Sequence, residues 1–267
     1  MTWTKASKGE SNLILSKTFR KFFLSASLIF QSERKSYRQN STPSNIIAVG
    51  FIVLVKSRSK SIVVGVAGGT GAGKSTIVKE ILKQLGAEKV SVIQHDSYYK
   101  NRPELSFEDR TKINFDHPDS LDTKLLVEHI KLLISGKNVG IPVFHHFTKY
   151  LRDSNTKKVE SRPILIVEGI LVLNDKKLRE LMNLKVFIDV PSDLRFIRRL
   201  NRDLYEYKRS VESVTKQYLA TIRPMHEEYV EPSKIHADLF IPEGGSNRQT
   251  VDLLVSNLKT LQEKHFS

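Results

Sequence analysis

Six consecutive small or apolar residues, Ile62 to Ala67 (IVVGVA), run without a break into Gly68-Gly69-Thr70-Gly71-Ala72-Gly73-Lys74-Ser75. Few segments constrain a chain more tightly. A buried strand delivers a glycine-rich turn, and the turn opens what the apolar spacing from Ser75 to Leu85 makes an amphipathic helix. The octet fits G-x-x-x-x-G-K-[ST]. In such a loop the backbone N–H groups converge on a phosphate, and the helix N-terminus behind them adds its positive dipole end. The stretch from Gly68 to Thr76 is therefore the candidate binding segment for a nucleoside triphosphate. Lys74 is expected to bridge β- and γ-phosphate oxygens, and the Ser75 hydroxyl to ligate Mg²⁺.

The rest of the chain from Ser61 alternates strand-like and helix-like blocks, which points to a parallel sheet with crossover helices. Strands are expected at Lys89 to Gln94, Pro163 to Val167, Lys185 to Val190 and Asp238 to Pro242. Helices are expected at Thr123 to Ser135, Asp193 to Tyr207, Val214 to Ile222 and Arg248 to Glu263. The fold class that follows is α/β, a doubly wound and mainly parallel sheet of the P-loop NTPase type, flanked by helices and carrying a small lid. Ligands of such sheets sit at the carboxyl ends of the strands.

The first 58 residues have a different texture. Eleven Lys and Arg occur up to position 60 against Glu10 and Glu33 alone, whereas the remaining 207 residues carry 32 basic and 27 acidic groups. The overall charge of +14 thus resides largely in a basic leader, and the catalytic part has an ordinary surface for an enzyme handling polyanions rather than one for nucleic acid. Two apolar runs in the leader, Phe22 to Phe30 and Ile46 to Val55, are each shorter than the roughly 20 residues that a membrane-spanning helix needs. The leader reads as a disordered or misassigned segment, a targeting sequence, or an accessory element, with the α/β domain beginning at residue 59. A cytoplasmic location is expected, and organelle targeting by the leader stays open. Cysteine is absent, which excludes disulfides, zinc–thiolate sites and a cysteine nucleophile.

A phosphate loop alone leaves many NTPase classes open, so downstream residues must decide. No N-K-x-D tetrapeptide for guanine occurs, and Leu133-Ile134-Ser135-Gly136-Lys137 lacks most of a transporter signature. The strand PILIV ends in Glu168-Gly169, which puts a carboxylate beside the loop where it can hold Mg²⁺ through water. Asp96 follows the second strand and so belongs at the same sheet edge. It is the candidate to orient an attacking hydroxyl and accept its proton. Arg195, Arg199 and Arg202, with Arg198 beside them, share one face of a basic helix that can clamp a transferring phosphoryl group. Read singly, each has an ordinary alternative: Asp96 as a cap, Glu168 as the start of a turn, any one arginine as part of a solvated face.

Three more stretches carry a resemblance: His95-Asp96-Ser97-Tyr98-Tyr99-Lys100, Asn114-Phe115-Asp116-His117-Pro118-Asp119, and Arg223-Pro224-Met225-His226 followed by Glu231-Pro232-Ser233-Lys234. With GGTGAGKS, VEGIL and IPEGG, in this order from about Ser61 onward, the chain resembles the uridine kinase family. The resemblance implies transfer of the γ-phosphoryl group of ATP, with Mg²⁺, to the 5′-hydroxyl of uridine and cytidine. It implies that Tyr99 flanks the nucleoside and that Asp116 accepts hydrogen bonds from the ribose 2′- and 3′-hydroxyls. It singles out Arg199, Arg202 and Arg209 in the lid, with Gln217 contacting the nucleoside. It also implies a homo-oligomer, a tetramer, with feedback inhibition by pyrimidine triphosphates.

Two places depart from the family pattern. The segment Ile141 to Arg152 holds one residue more than P-[IV]-Y-D-Y-x-x-H-T-R allows. Counted forward from Pro142, the histidine that reads the base falls on Lys149; counted back from Glu168, Tyr150 replaces it and Arg152 matches the arginine. Phe144 and Phe147 can still stack on a pyrimidine, and His145 or His146 can substitute as the base-reading group. As a metal pair the two histidines are ill placed, because neighbours on a strand point to opposite faces. The lid reads Tyr207-Lys208-Arg209 where the family tends to show R-G-R. The other readings are a P-loop kinase for a different small hydroxyl acceptor, and a nucleotide-binding regulator without turnover.

Overall fold

The structure, a computed structural model, describes residues 60–266 apart from Phe147. The basic leader and its two apolar runs lie outside the described residues, as does the stacking role expected of Phe147. Five strands form the central sheet: β1 (Ile62–Ala67), β2 (Val90–Gln94), β5 (Ile164–Glu168), β6 (Leu184–Asp189) and β7 (Leu239–Pro242). Their spatial order is β2-β5-β1-β6-β7, and every pairing is parallel. The sheet and its crossover helices are the expected doubly wound α/β layout.

The strands read as unbroken apolar runs because both faces of the sheet are covered. Along β1 the side chains alternate between two cores. Val63 and Ala67 join Leu126, Ile130 and Leu133 of helix α3 (Thr123–Ile134). Ile62, Val64 and Val66 join Ile77 and Ile81 of α1 (Lys74–Leu85) and Leu254 and Leu258 of α7 (Arg248–Phe266). The register across the sheet aligns Gln94 with Glu168 and Glu168 with Val66, so the ends of β2, β5 and β1 stand side by side. Glu168 ends β5 at that edge, with the glycine loop following β1 and Asp96 following β2.

Helix α5 (Ser192–Tyr205) inverts the usual amphipathic arrangement. Its buried residues are Arg195, Arg199 and Asp203, one turn apart from each other, while Leu194 and Ile197 are exposed. The helix stands on its charged face above the glycine loop. Helix α6 (Val211–Gln217) continues through π-helical stretches at Tyr218–Ile222 and His226–Val230, a longer run than the apolar spacing predicted.

Two features were not anticipated. An antiparallel hairpin, β3 (Val139–His145) with β4 (Leu151–Val159), rises beside the sheet, with a register irregularity between Pro142 and Phe144. Its second strand is polar and mostly exposed, which hid it from a search for apolar alternation. Short helices α2 (Phe107–Thr111) and α4 (Lys176–Leu181) carry serine and aspartate caps at Ser106 and Asp175 but too few residues for a periodic signal. Among the described residues no helix is long and apolar enough to cross a membrane.

Candidate active site

The glycine loop between β1 and α1 has the backbone that its sequence demands. Gly71 has φ +77°, a left-handed conformation, and a Cβ there would collide with the backbone carbonyl of Arg195. Gly73 caps α1 at φ +95° with no side chain over the first N–H groups of the helix, which leaves them open to an anion. Lys74 Nζ donates to the carbonyls of Gly68 (2.9 Å) and Gly69 (3.2 Å). Burial pulls its pKa down, Asp96 and Glu168 pull it back up, and Arg202 and Arg195 lower it further. The lysine thus sits where the expected carboxylates and the helix arginines meet.

Glu168 is buried at the end of β5, and the Ser75 hydroxyl donates to it at 3.3–3.4 Å. Gln94 Nε2, at the end of β2, donates to its Oε1 at 2.9 Å. A hydroxyl and a carboxylate in contact at the mouth of the loop form an all-oxygen donor pair, which suits a hard cation that keeps several of its waters. Gln94 holds the carboxylate in that direction; its role was missed because a glutamine ending a strand carries no motif.

On the acceptor side Asp96 is exposed in a short 3₁₀ turn (His95–Tyr98) directly after β2. The loop that follows is tied to the NFDHPD stretch by backbone bonds from Lys100 N–H to Ser120 O and from Asp122 N–H to Tyr98 O, both 2.8 Å. Arg152 strengthens the tie. Its side chain donates to the carbonyls of Tyr99 (2.8 Å) and Tyr98 (3.2 Å) and lies 3.4 Å from the Asp122 carboxylate. These bonds bring Asp116 into the field of Asp96, Arg199, Lys74 and His226. Burial pushes the Asp116 carboxyl up to about 6, against the pull of Arg199.

An aromatic box adjoins these carboxylates. The buried Tyr99 ring meets Phe115, Phe144 and His146 edge-on, with centroids 4.9, 5.2 and 5.5 Å away. Four residues were candidates to read the base, and the structure separates them. His145 Nε2 is 2.7 Å from Asp153 Oδ2, and Asp153 is pulled down to about 2 by the Asn155 N–H and by His145. Lys149 points into solvent. Tyr150, at φ +53°, stacks on Phe115 with centroids 5.6 Å apart. His146 packs on Phe144 (5.0 Å) as well as Tyr99 while the residue stays exposed, and its pKa is lowered by partial desolvation of the ring and by His145, against the pull of Asp96. In the turn between β3 and β4 the Tyr150 N–H bonds to the His145 carbonyl at 2.9 Å.

The arginines converge from above. Arg199 donates to the Thr70 hydroxyl in the glycine loop (3.0 Å) and to Gln217 Oε1 (3.0 Å), while its buried Nε has no hydrogen-bond partner among the described residues. Arg209 reaches the same Gln217 oxygen at 2.7 Å. Arg195, which the spacing had grouped with them, lies deeper. It donates to Val190 O (3.0 Å), meets His226 Nε2 at 3.0 Å, and lies so close to Gly69 that a side chain there would strike it. Asp116 is thus an electrostatic neighbour of Arg199, Asp96 and Lys74, and Lys74 of Asp96, Glu168, Arg202 and Arg195.

Comparison with known proteins agrees with this geometry. Residues 63–250 match the model of the Phosphoribulokinase / Uridine kinase family. A uridine kinase of Clostridium botulinum (strain Okra / Type B1) is 47% identical over 205 residues, covering 77% of this chain and 99% of that protein. A uridine kinase of Chloroflexus aurantiacus (strain ATCC 29366 / DSM 635 / J-10-fl) is 48% identical over 198 residues, covering 74% of this chain and 94% of that protein. Among solved structures, the phosphoribulokinase from Rhodobacter spheroides superposes with a TM-score of 0.53 at 16% identity. The match covers 68% of this chain and 70% of that one, a likeness of fold alone.

Proposed function

We propose, from the premise that this chain belongs to the Phosphoribulokinase / Uridine kinase family, that it phosphorylates uridine at the 5′-hydroxyl, with ATP as donor, giving UMP and ADP in pyrimidine salvage. The observation that carries the reading is the convergence of a phosphate-binding lysine with two acceptor-side carboxylates and an arginine from a third segment. A nucleotide-binding regulator would need the glycine loop but has no use for that second half.

In this mechanism the 5′-oxygen attacks the γ-phosphorus as the bond to the β–γ bridging oxygen breaks, and ADP leaves. The hydroxyl proton passes to the Asp96 carboxylate and then to solvent. Because the transition state is loose, alignment contributes more than proton removal, and Asp96 acts chiefly by aiming the oxygen. Lys74 and the backbone N–H groups from Gly68 to Ser75 hold the donor phosphates, with Thr76 in the same helical turn. Mg²⁺, when bound, would be held by Ser75 and Glu168 and would offset charge on the phosphate oxygens. Arg199, Arg202 and Arg209 stabilise the charge that spreads over the transferring group.

Asp116 accepts both ribose hydroxyls, since a carboxylate presents two oxygens to a vicinal diol, so ribonucleosides are preferred to deoxyribonucleosides. Tyr99 and Phe144 wall the base, and His146 is the group on this chain suited to read its O4 or N4 edge. Cytidine fits the same box as a second substrate. Gln217 touches the nucleoside through the arginines that it holds.

Purified protein with ATP, Mg²⁺ and an acceptor panel of uridine, cytidine, deoxyuridine, pantothenate and ribulose 5-phosphate tests the proposal. ADP release with uridine in excess of the others is the expected result. A panel in which a non-nucleoside wins, or in which none exceeds background, overturns it.

A further inference from the structure

One carboxylate in the lid has no role in the reading so far. Asp203 is 0% exposed, yet it is the hub of three guanidinium groups. Its Oδ1 accepts from Nε and Nη2 of Arg202 at 3.1 and 2.9 Å. Its Oδ2 accepts from Arg209 Nη1 at 3.2 Å and lies 3.4 Å from Arg199 Nη2. Gln217 then bridges the outer pair by accepting from both Arg199 and Arg209.

Fold stability alone does not account for this cluster. A buried ion pair loses to desolvation much of what it gains by attraction, and well-packed apolar residues often serve a core as well or better. Three cations held by one anion is a poorer bargain still. The cluster is also maintained against backbone strain. Lys208 adopts φ +55°, a left-handed conformation unfavourable for a residue with a Cβ, and the turn it makes lets the Arg209 N–H bond to the Asp203 carbonyl at 3.1 Å. The strained turn and the buried carboxylate serve the same end, which is to bring Arg209 alongside Arg199 and Arg202. Arg199 in turn reaches Thr70 of the glycine loop, and its buried Nε has no hydrogen-bond partner among the described residues.

We infer that Asp203 is a positioning residue for phosphoryl transfer: its two oxygens set the spacing and orientation of Arg199, Arg202 and Arg209 over the glycine loop. It touches neither nucleotide nor nucleoside and acts through the arginines. Because the carboxylate is preorganised, the guanidinium groups need not reorganise when charge develops on the transferring group. The inference rests on the kinase reading above.

The test compares wild type, Asp203→Asn, Asp203→Glu, Arg202→Lys and the double variant Asp203→Asn/Arg202→Lys. For each, kcat and KM for uridine are measured beside the affinity for ADP and the thermal midpoint. Asp203→Asn is expected to lower kcat about 100-fold, the loss that follows when a reacting group is misplaced by an ångström, with ADP affinity within about threefold because Lys74 and the backbone N–H groups of the glycine loop are unchanged. Asp203→Glu keeps the buried charge but moves it by one methylene. It is expected to fold and bind ADP while losing about tenfold in kcat. The double variant should be no slower than the slower single, since both changes disable one unit.

Wild-type kcat in Asp203→Glu, additive losses in the double variant, or losses matched by an equal loss of ADP-binding sites would each overturn the inference. If Asp203→Asn does not fold, Asp203→Glu decides by itself. An inactive wild type would instead sink the kinase reading, so the two failures are distinguishable.

Discussion

In the proposed reaction the donor and acceptor halves of the site are built in opposite ways. The donor half is a single uninterrupted segment, Gly68 to Ser75, whose work is done by backbone N–H groups and a helix terminus. The acceptor half is collected from the 3₁₀ turn at Asp96, the NFDHPD stretch, the β3–β4 hairpin and helix α5, held together by long-range bonds such as those from Arg152 to Tyr98 and Tyr99. A contiguous backbone cradle depends on few side chains, chiefly its glycines, Lys74 and Ser75. A site gathered from four segments depends on the packing that holds them together, so its specificity is expected to move when any one of them changes.

The predictions probe that contrast. Asp96→Asn should lower turnover about 10³-fold while ADP binding is unaltered, because it removes the group that aims the acceptor and leaves the cradle intact. Equal loss of ADP affinity, read by calorimetry, would break the separation between the halves. Asp116→Asn should reduce kcat/KM for uridine about 100-fold, since two hydrogen bonds to a charged acceptor are weakened.

The same residue predicts a pH dependence. Burial raises the Asp116 carboxyl to about 6, so the group gains its proton, and loses its capacity to accept both hydroxyls, as pH falls through that value. The pH profile of kcat/KM should carry an acidic limb near 6 that is absent from Asp116→Asn. The linked effect on stability has the opposite sense. An acid whose folded pKa is raised favours the folded state below its unfolded value near 3.8 and withdraws that support as pH rises to about 6.

Smaller effects sharpen the contrast. His146→Ala should change the ratio of kcat/KM for uridine to that for cytidine about tenfold, in line with one lost base-edge hydrogen bond, without altering ADP affinity. An unchanged ratio would remove His146 from base recognition. Lys208→Gly should raise folding stability by about 1 kcal/mol, measured by urea denaturation, because glycine adopts the left-handed conformation without steric cost. Kinetic constants close to wild type are expected, since the turn keeps its shape.

How much of this was legible in advance follows the same division. The strands of the sheet and the longer helices fell within a few residues of their expected positions, because continuous apolar runs and a 3.6-residue period are consequences of burial on both faces of one sheet. The β3–β4 hairpin was not legible, since its exposed polar strand leaves no apolar trace. Within the site, Lys74, Ser75, Asp96 and Glu168 were identifiable from motif and strand end. Gln94 and Asp203 were not, because each acts on another side chain and so belongs to no local pattern; Arg152 was matched to the family's arginine, but its bonds to the distant Tyr98 and Tyr99 carbonyls were not foreseen.

What the linear chain determined by itself was the glycine loop, the order of its strands and helices, and the sheet edge to which the chemistry is attached. All three arise from short-range rules of backbone conformation and from the periodicity of burial. Only the folded molecule decided that His146 packs on Tyr99 and Phe144, that a polar strand pairs into a hairpin beside the sheet, and that one buried carboxylate gathers three arginines. Those outcomes depend on distances between segments far apart in the chain, and such distances are set by packing rather than by neighbours in sequence.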